Sequence, residues 1–449
     1  MLSKSDYMLY LKHPAWLWIK KNDPKKLPSV DENTQALFDA GHQFEPYAES
    51  LFPEGATLGF SDYSEYLSLP KRTQDAIDNG TQVLFQPRFE WKDFTCICDI
   101  VSFVEESEVD LYEIKASTSA KVEHEFDLAF QSAVLEGTGL KVRNIFVIHV
   151  NNLYVRHGAI EAEKITHIED VTERVRKRSD STAKYMPRAL ATAQQKTMPD
   201  LSPALAKLGS KKDWLKVYEI IAPQTPKEYP ADTKPTINSN EIKSFLNELK
   251  YPLYFLDYET LMSLVPYFDG HRPYQQVPFQ YSLHILKSSD AELEWKEYLH
   301  RENSDPARPL TEQLIKDIGD TGTVLVWYEG FEKARNSELG EMLPEYKEAM
   351  EAINNRVVDL MVPFKNKWYD DPRFEGSASI KQVLPVLCPE LSYKDLGIQE
   401  GGSAQRLWME AVLDDKRADQ KEQILADLIK YCKLDTLAMV EIFRKLRDL

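Results

Sequence analysis

Cysteine is scarce in this chain of 449 residues: Cys96, Cys98, Cys388 and Cys432 are the whole supply, and no two are spaced C-x-x-C. That spacing argues against a zinc knuckle or a disulfide framework and leaves reduced thiols. Long apolar runs are missing too. Nothing approaches the roughly 20 residues that span a bilayer, and "MLSKSDYMLYLKHPAWLWIKK" lacks the unbroken apolar core of a signal peptide. A cytoplasmic location without a membrane partner is expected. Positive charge is also short, with 55 Lys and Arg against 72 Asp and Glu, a net charge of -17. Phosphates are met by Lys and Arg, so this balance at first argues against nucleic acid. The stretch from Lys141 to Lys216 reverses it, holding 15 Lys and Arg against 8 Asp and Glu. Such a local excess marks either a phosphate footprint or a solvated helical face. Internal repeats and low-complexity segments are absent.

What is present is core. Hydrophobic residues make up 43% and aromatics 11% of the chain, enough for more than one domain at this length. In residues 1–173, helical patterns precede the strand-like runs "VLFQPRFEW", "FTCICDIVSFV", "VDLYEIKAS" and "NIFVIHV", with the helix-like "FDLAFQSAVLEGTG" before the last. That order predicts a compact α/β unit. Residues 174–247 turn basic and are punctuated by Pro187, Pro199, Pro203, Pro223, Pro226, Pro230 and Pro235, which predicts a helical connector followed by a loop. From residue 248 strands return in "PLYFLDYE", "FQYSLHIL", "LEWKEYLH" and "TVLVWYEG", and helices fill the carboxyl-terminal third. The fold class expected is therefore α/β in two domains joined by a connector.

Two groups of residues carry chemistry. In the first, Asp99 ends one β-rich run, and Glu113 and Lys115 sit two apart on the next. Period-two alternation points Glu113 and Lys115 to one face of a sheet. Two acids and a lysine at one sheet edge suit phosphodiester hydrolysis, where carboxylates hold a divalent ion and a lysine positions water or offsets developing charge.

These residues, with "LSKSDYMLYL", "GHQFEPYAE" and "DLAFQSAVL" around them, resemble the PD-(D/E)xK nucleases, and within them the RecB-like exonucleases. The resemblance covers about 170 residues and implies a restriction-endonuclease-like core. It implies that Glu45, Asp99 and Glu113 bind metal, that Lys115 is catalytic and that Gln131 supports the site. His42 is left outside the metal set, because a lone His on a helix is more often structural. Many RecB-like relatives hold an iron-sulfur cluster on four thiolates. Here His13 stands in the early region and residues 141–240 contain no cysteine, so no cluster is expected.

In the second group, Asp257 and Glu259 in "YFLDYETLMS" share one strand face. Far downstream "ILADLIKYCKLDTLAMVEIF" reads as an amphipathic helix, with Tyr431 and Asp435 stacked at i and i+4. A strand Asp-x-Glu followed by a late helical Tyr-x-x-x-Asp resembles the DnaQ-like, ribonuclease-H-fold 3′-to-5′ exonucleases of the DEDD superfamily, and the tyrosine points to their DEDDy branch. By that similarity, four acids hold two divalent ions and Tyr431 helps to orient the attacking water. The third acid is the least regular. "VLVWYEGFEKARNSEL" offers Phe331-Glu332 where the family has Phe or Tyr followed by Asp, and Trp327 or Glu329 where it has Asn. Asp359 in "RVVDLMVPF" is the reserve, read as a supporting acid. "GSASIKQVLPVLCPELSY" is similar to a Gly-x-x-Ser-Leu-Lys region of the superfamily, in which Lys381 would meet a phosphate of the nucleic acid. Ser377 or Ser379 capping a plain helix is the alternative.

Together the resemblances cover most of the chain and are similar to a bacterial group of proteins that join a RecB-like nuclease to a DnaQ-like exonuclease. They imply a Mg²⁺- or Mn²⁺-dependent nuclease with two centres, DNA favoured over RNA as its partner, and a role in repair, recombination or defence, with a helicase or similar protein delivering substrate. The alternatives are that one centre alone works, or that the chain is a non-catalytic nucleic-acid-binding scaffold.

Overall fold

A computed structural model describes residues 1–208, 212–223, 225, 227–230 and 232–449; Pro226 of the expected connector lies outside them. The chain divides into two compact units, Met1–Pro226 with Leu264–Pro273, and Lys227–Ser263 with Tyr274–Leu449. Each is mixed α/β with its own sheet and core. Among the described residues, no helix is long and apolar enough to cross a membrane.

The first unit opens with α1 (Lys4–Lys12) and α2 (Pro14–Asn22). Ser3 and Asp6 form a reciprocal capping box on α1, and His13 caps α2 by accepting from the Ala15 amide, so both helices start where backbone amides lack intrahelical partners. His13 also bonds the Ser202 carbonyl at 2.8 Å and stacks on Trp214 at 3.8 Å. It is a structural residue in this unit. Next come α3 (Glu32–Glu49) and the strands β1 (Ala56–Thr57), β2 (Val83–Phe85), β3 (Ile100–Glu105) and β4 (Glu108–Lys115). Helix α4 (Val122–Gly137) crosses over to β5 (Lys141–Val150), and β6 (Thr166–Asp170) completes the sheet. The six strands lie in sequence order. Pairing is parallel at β1–β2 and β4–β5 and antiparallel elsewhere. The α4 crossover is what a parallel β4–β5 pair requires.

Alternation along β4 decides the centre. Val109 and Leu111 face a core built with Tyr7 and Leu11 of α1 and Leu128, Val134 and Leu135 of α4. Glu113 and Lys115 continue that same row. On the opposite face, Tyr112 and Ile114 pack with Ala48 of α3 and Ile148.

Two expected runs are broken by turns. "FTCICDIVSFV" divides into Phe94–Ile97 and β3, leaving Asp99 at the break. "VLFQPRFEW" divides at Gln86, whose φ is +55°. A Pro at the next position disfavours helix there and cannot donate to a ladder. The stretch 174–247 is not set apart as a connector. Helix α5 (Ser179–Gln194) packs on α1, α2 and α4 and adds Met186 and Ala189 to the core, because its apolar stripe, not its net charge, governs where it lies. The remainder falls partly in each unit.

The main sheet of the second unit has five strands: β7 (Leu253–Met262), β8 (Gln276–Leu286), β9 (Glu294–Leu299), β10 (Thr323–Val326) and β11 (Val357–Asp359). Their order is β9-β8-β7-β10-β11, antiparallel through β7 and then parallel. Helices α6 (Glu329–Met342), α7 (Ile380–Leu387) and α8 (Lys421–Arg447) follow. Helix α8 packs along β7 and β8. Leu253 and Phe255 meet Met439, Val440 and Phe443 there, and the same inward row continues with Asp257 and Glu259. The ladder to β8 shifts register between Glu259 and Thr260; a bulge of this kind bends a strand and re-aims side chains near functional sites.

Candidate metal centre

The first group converges on Glu113, which is 1% exposed. Its Oε1 accepts from Lys115 Nζ at 2.6 Å and from Lys4 Nζ at 2.8 Å, and its Oε2 accepts from Gln131 Nε2 at 2.7 Å. Asp127 closes the web, 3.1 Å from Lys115 Nζ and 2.9 Å from the Gln131 amide. Asp99 Oδ2 accepts from the Ile114 amide at 2.7 Å. Burial alone would raise the Glu113 carboxyl, but Lys115 and Lys4 hold it far below the usual carboxylate range. Asp99 shows the opposite: burial and the Glu113 charge push it up to about 7, against the pull of both lysines. Burial would lower Lys115 as well, yet Glu113 and Asp127 raise it, so it stays an ammonium.

The structure thus brings together Asp99, Glu113, Lys115 and Gln131 and adds Lys4 and Asp127. Glu45 is not joined to them by a hydrogen bond. It lies on α3 with His42 Nδ1 3.0 Å from its Oε1. Asp127 carries a weak sequence signal, one turn before Gln131 on the same helix face. Lys4 carries none, since only the packing of α1 brings it to β4.

Several cations of the basic stretch are paired with acids. Arg174 and Arg178 each lie 2.8 Å from a carboxylate oxygen of Glu125, which is 4% exposed. Arg143 forks onto Asp110, and Lys141 meets Glu108 at 2.6 Å.

The second group has another character. Asp257, Glu259 and Cys432 offer ligand atoms that all lie within 4.8 Å of one another, and among the described residues they are the one group of three such donors. Asp435 joins from α8 and Glu332 from α6. Burial, Asp435, Glu259 and Glu332 together push Asp257 well above the carboxylate range. Burial and Asp435 do the same to Glu259, opposed by Lys381. Burial raises Asp435 to about 6 despite the bond from Tyr393, and burial with Asp359 nearby raises Glu332 to about 8. Asp257 thus meets the charge of the other three, and none of the four makes an ion pair among the described residues.

Two buried oxygens at this place make no hydrogen bond, Glu332 Oε2 and Gln280 Oε1. Gln280 is directly opposite Glu259 in the β7–β8 ladder, and its amide nitrogen is turned to the Leu428 carbonyl of α8 at 3.1 Å. An orphaned buried acceptor is costly. A hard or borderline divalent cation, which takes oxygen ligands, fits this set.

Tyr431 is 4% exposed on α8. Sequence reasoning missed Tyr393, whose hydroxyl donates to Asp435 Oδ1 at 2.6 Å. Lys381 Nζ lies 5.6 Å from the ring centres of both Tyr393 and Tyr431 and donates to the Gln399 carbonyl at 2.9 Å, so it is held beside the acids by a cation–π pair. Ser379 stands at the cap position of α7 but makes no side-chain cap bond. Asp359 Oδ1 accepts from the amides of Tyr328 and Met361 at 3.0 and 2.9 Å. It pins the β10–α6 junction, where Tyr328 has a φ of +81°, and Glu332 follows one turn later.

A domain of unknown function, DUF2779, matches residues 254–379, a stretch containing Asp257, Glu259 and Glu332. The chain is also similar to the uncharacterized protein MG366 of Mycoplasma genitalium, 28% identical over 230 residues, which are 47% of this chain and 34% of that protein. Its homolog in Mycoplasma pneumoniae is 27% identical over 237 residues, 48% of this chain and 35% of that one. The match spans about a third of the length of these curated relatives.

Proposed function

We propose that the chain is a metal-dependent nuclease, built from a restriction-endonuclease-like unit and a ribonuclease-H-like, DEDDy-type exonuclease unit, with nucleic acid, DNA before RNA, as its substrate. The observation that carries this is the convergence of Asp257 and Glu259 from β7, Glu332 from α6 and Asp435 from α8, with two orphaned oxygens and no ion-pair partner among the described residues. Bound Mg²⁺ or Mn²⁺ would supply Lewis acidity toward a phosphodiester and an activated water. The chain's own residues supply the rest. The four carboxylates would hold the cation, Tyr393 fixes Asp435, Tyr431 closes one wall, and Lys381 offers a positive charge that a phosphate could share. Glu332, 2% exposed, stands where the resembled family has Asp.

The reading in which one centre alone works is favoured by the first unit. Both oxygens of Glu113 are already taken, Oε1 by Lys115 and Lys4 and Oε2 by Gln131, so a cation there would compete with two ammonium groups and an amide. The test is cleavage of end-labelled single- and double-stranded DNA and RNA with Mn²⁺ or EDTA. Metal-dependent products from wild type and Lys115→Ala, lost in Asp257→Ala, are expected. Loss in Lys115→Ala with retention in Asp257→Ala would move the chemistry to the first unit. No products from any form would favour a binding scaffold.

A further inference from the structure

Cys432 is placed among the carboxylates and not merely near them. It is fully buried, and its Sγ lies 3.8 Å from both Asp257 Oδ2 and the Asp257 carbonyl. Sγ and one carboxylate oxygen each of Asp257 and Glu259 fall within 4.8 Å of one another. Sulfur and oxygen ligands at zinc, with bonds of about 2.3 and 2.1 Å, stand about 3.6 Å apart across a tetrahedron, close to the spacing seen here. Cys432 and Asp435 are also i and i+3 on α8, neighbours on one helical face. The orphaned oxygens of Glu332 and Gln280 at the same place are independent signs that the group is built around something absent from the hydrogen-bond network.

Resting on the carboxylate reading above, we infer that Cys432 is a ligand of the second-unit centre, and that the centre therefore favours a thiophilic divalent ion such as zinc, cobalt or cadmium over magnesium. Thiolate is a soft ligand that magnesium, an oxygen-seeking ion, does not reward. On binding, the thiol proton passes to solvent as the metal–sulfur bond forms, with no change of oxidation state.

Cd²⁺ titration of the full chain, followed by sulfur-to-metal charge-transfer absorption and by proton release, tests this. The absorption should appear in wild type, persist in Cys96→Ser/Cys98→Ser and in Cys388→Ser, and vanish in Cys432→Ser and Cys432→Ala. Cd²⁺ affinity should fall about tenfold or more in the Cys432 variants, the scale on which lost metal-site interactions register, while Mg²⁺ affinity stays the same. Should the Cys432 variants fail to fold, X-ray absorption of Cd²⁺-loaded Cys96→Ser/Cys98→Ser/Cys388→Ser protein decides, by the presence or absence of a sulfur neighbour. Cd²⁺ held by oxygen and nitrogen alone overturns the inference. If Mn²⁺ uptake, measured by calorimetry, is then still abolished by Asp257→Asn, the carboxylate reading stands without it. Failure of both Mn²⁺ and Cd²⁺ to bind at millimolar concentration overturns both.

Discussion

At the scale of single residues, the two groups of acids differ in what balances them. Glu113 is matched by two ammonium groups, so truncating either leaves a buried carboxylate short of charge. Lys4→Met should therefore cost about 3 kcal/mol of stability, as breaking buried pairs does, in urea unfolding of the full chain. An effect below about 0.5 kcal/mol would mean that Lys4 is a spectator. In the second group, Tyr393→Phe removes the one hydrogen-bond donor to the Asp435 side chain among the described residues. The carboxyl, at about 6 with that bond, should rise further, because a hydrogen bond to the charged form is lost. Mn²⁺ affinity should drop about 10-fold or more, most at pH 6 and least at pH 8, as read by calorimetry at both. An equal loss at the two pH values would assign Tyr393 a purely structural part.

At the scale of elements, the packing of α8 on β8 rests on a buried histidine. His284 Nδ1 lies 2.8 Å from Thr436 Oγ1, and Thr436 also meets Ser282 at 2.7 Å. Burial, then Lys433 and Arg444, lower His284 from 6.5 to about 4. The unfolded chain thus takes up the proton first. This histidine's contribution is complete above about pH 6.5 and is lost as pH falls toward 4, by roughly 3 kcal/mol in all at 1.36 kcal/mol per pH unit. Unfolding at pH 7.5 and pH 4.5 should show a larger acid loss in wild type than in His284→Gln; equal losses would assign the acid sensitivity elsewhere. Elements are also where the sequence was most and least legible. The strands bearing Glu113 and Asp257 could be read because period-two alternation is a local property. Helix α5 could not be placed, because the basic, proline-punctuated stretch in which it lies masked the stripe that packs Met186 and Ala189 inward. Lys4 and Tyr393 reach their acids only through tertiary packing, and nothing in their own neighbourhoods announces it, whereas Asp127 is hinted at only by its spacing from Gln131.

At the scale of the whole molecule, the two units have separate cores, and the four carboxylates of the candidate metal centre all lie in the second. Mn²⁺ should therefore raise one thermal transition and not the other, by about 2.7 kcal/mol at a hundredfold excess over its dissociation constant. Calorimetry with Mn²⁺ and with EDTA reads this directly. A shift of both transitions would place an ion in the first unit as well, and no shift would remove the ion from both. The partition into two units was legible from texture, strands returning after a basic, proline-rich stretch. Its border was not, since that stretch is shared between both units.

The inward row of β7 passes from Leu253 and Phe255 to Asp257 and Glu259 without a change of face. Position in the alternation, as much as chemical identity, makes these two acids a pair with Asp435. A single residue inserted between Phe255 and Asp257 would keep every carboxylate in the chain and turn this pair to the opposite side of the sheet. The candidate centre is thus encoded partly as parity, and it can be erased by a change in counting that alters none of its side chains.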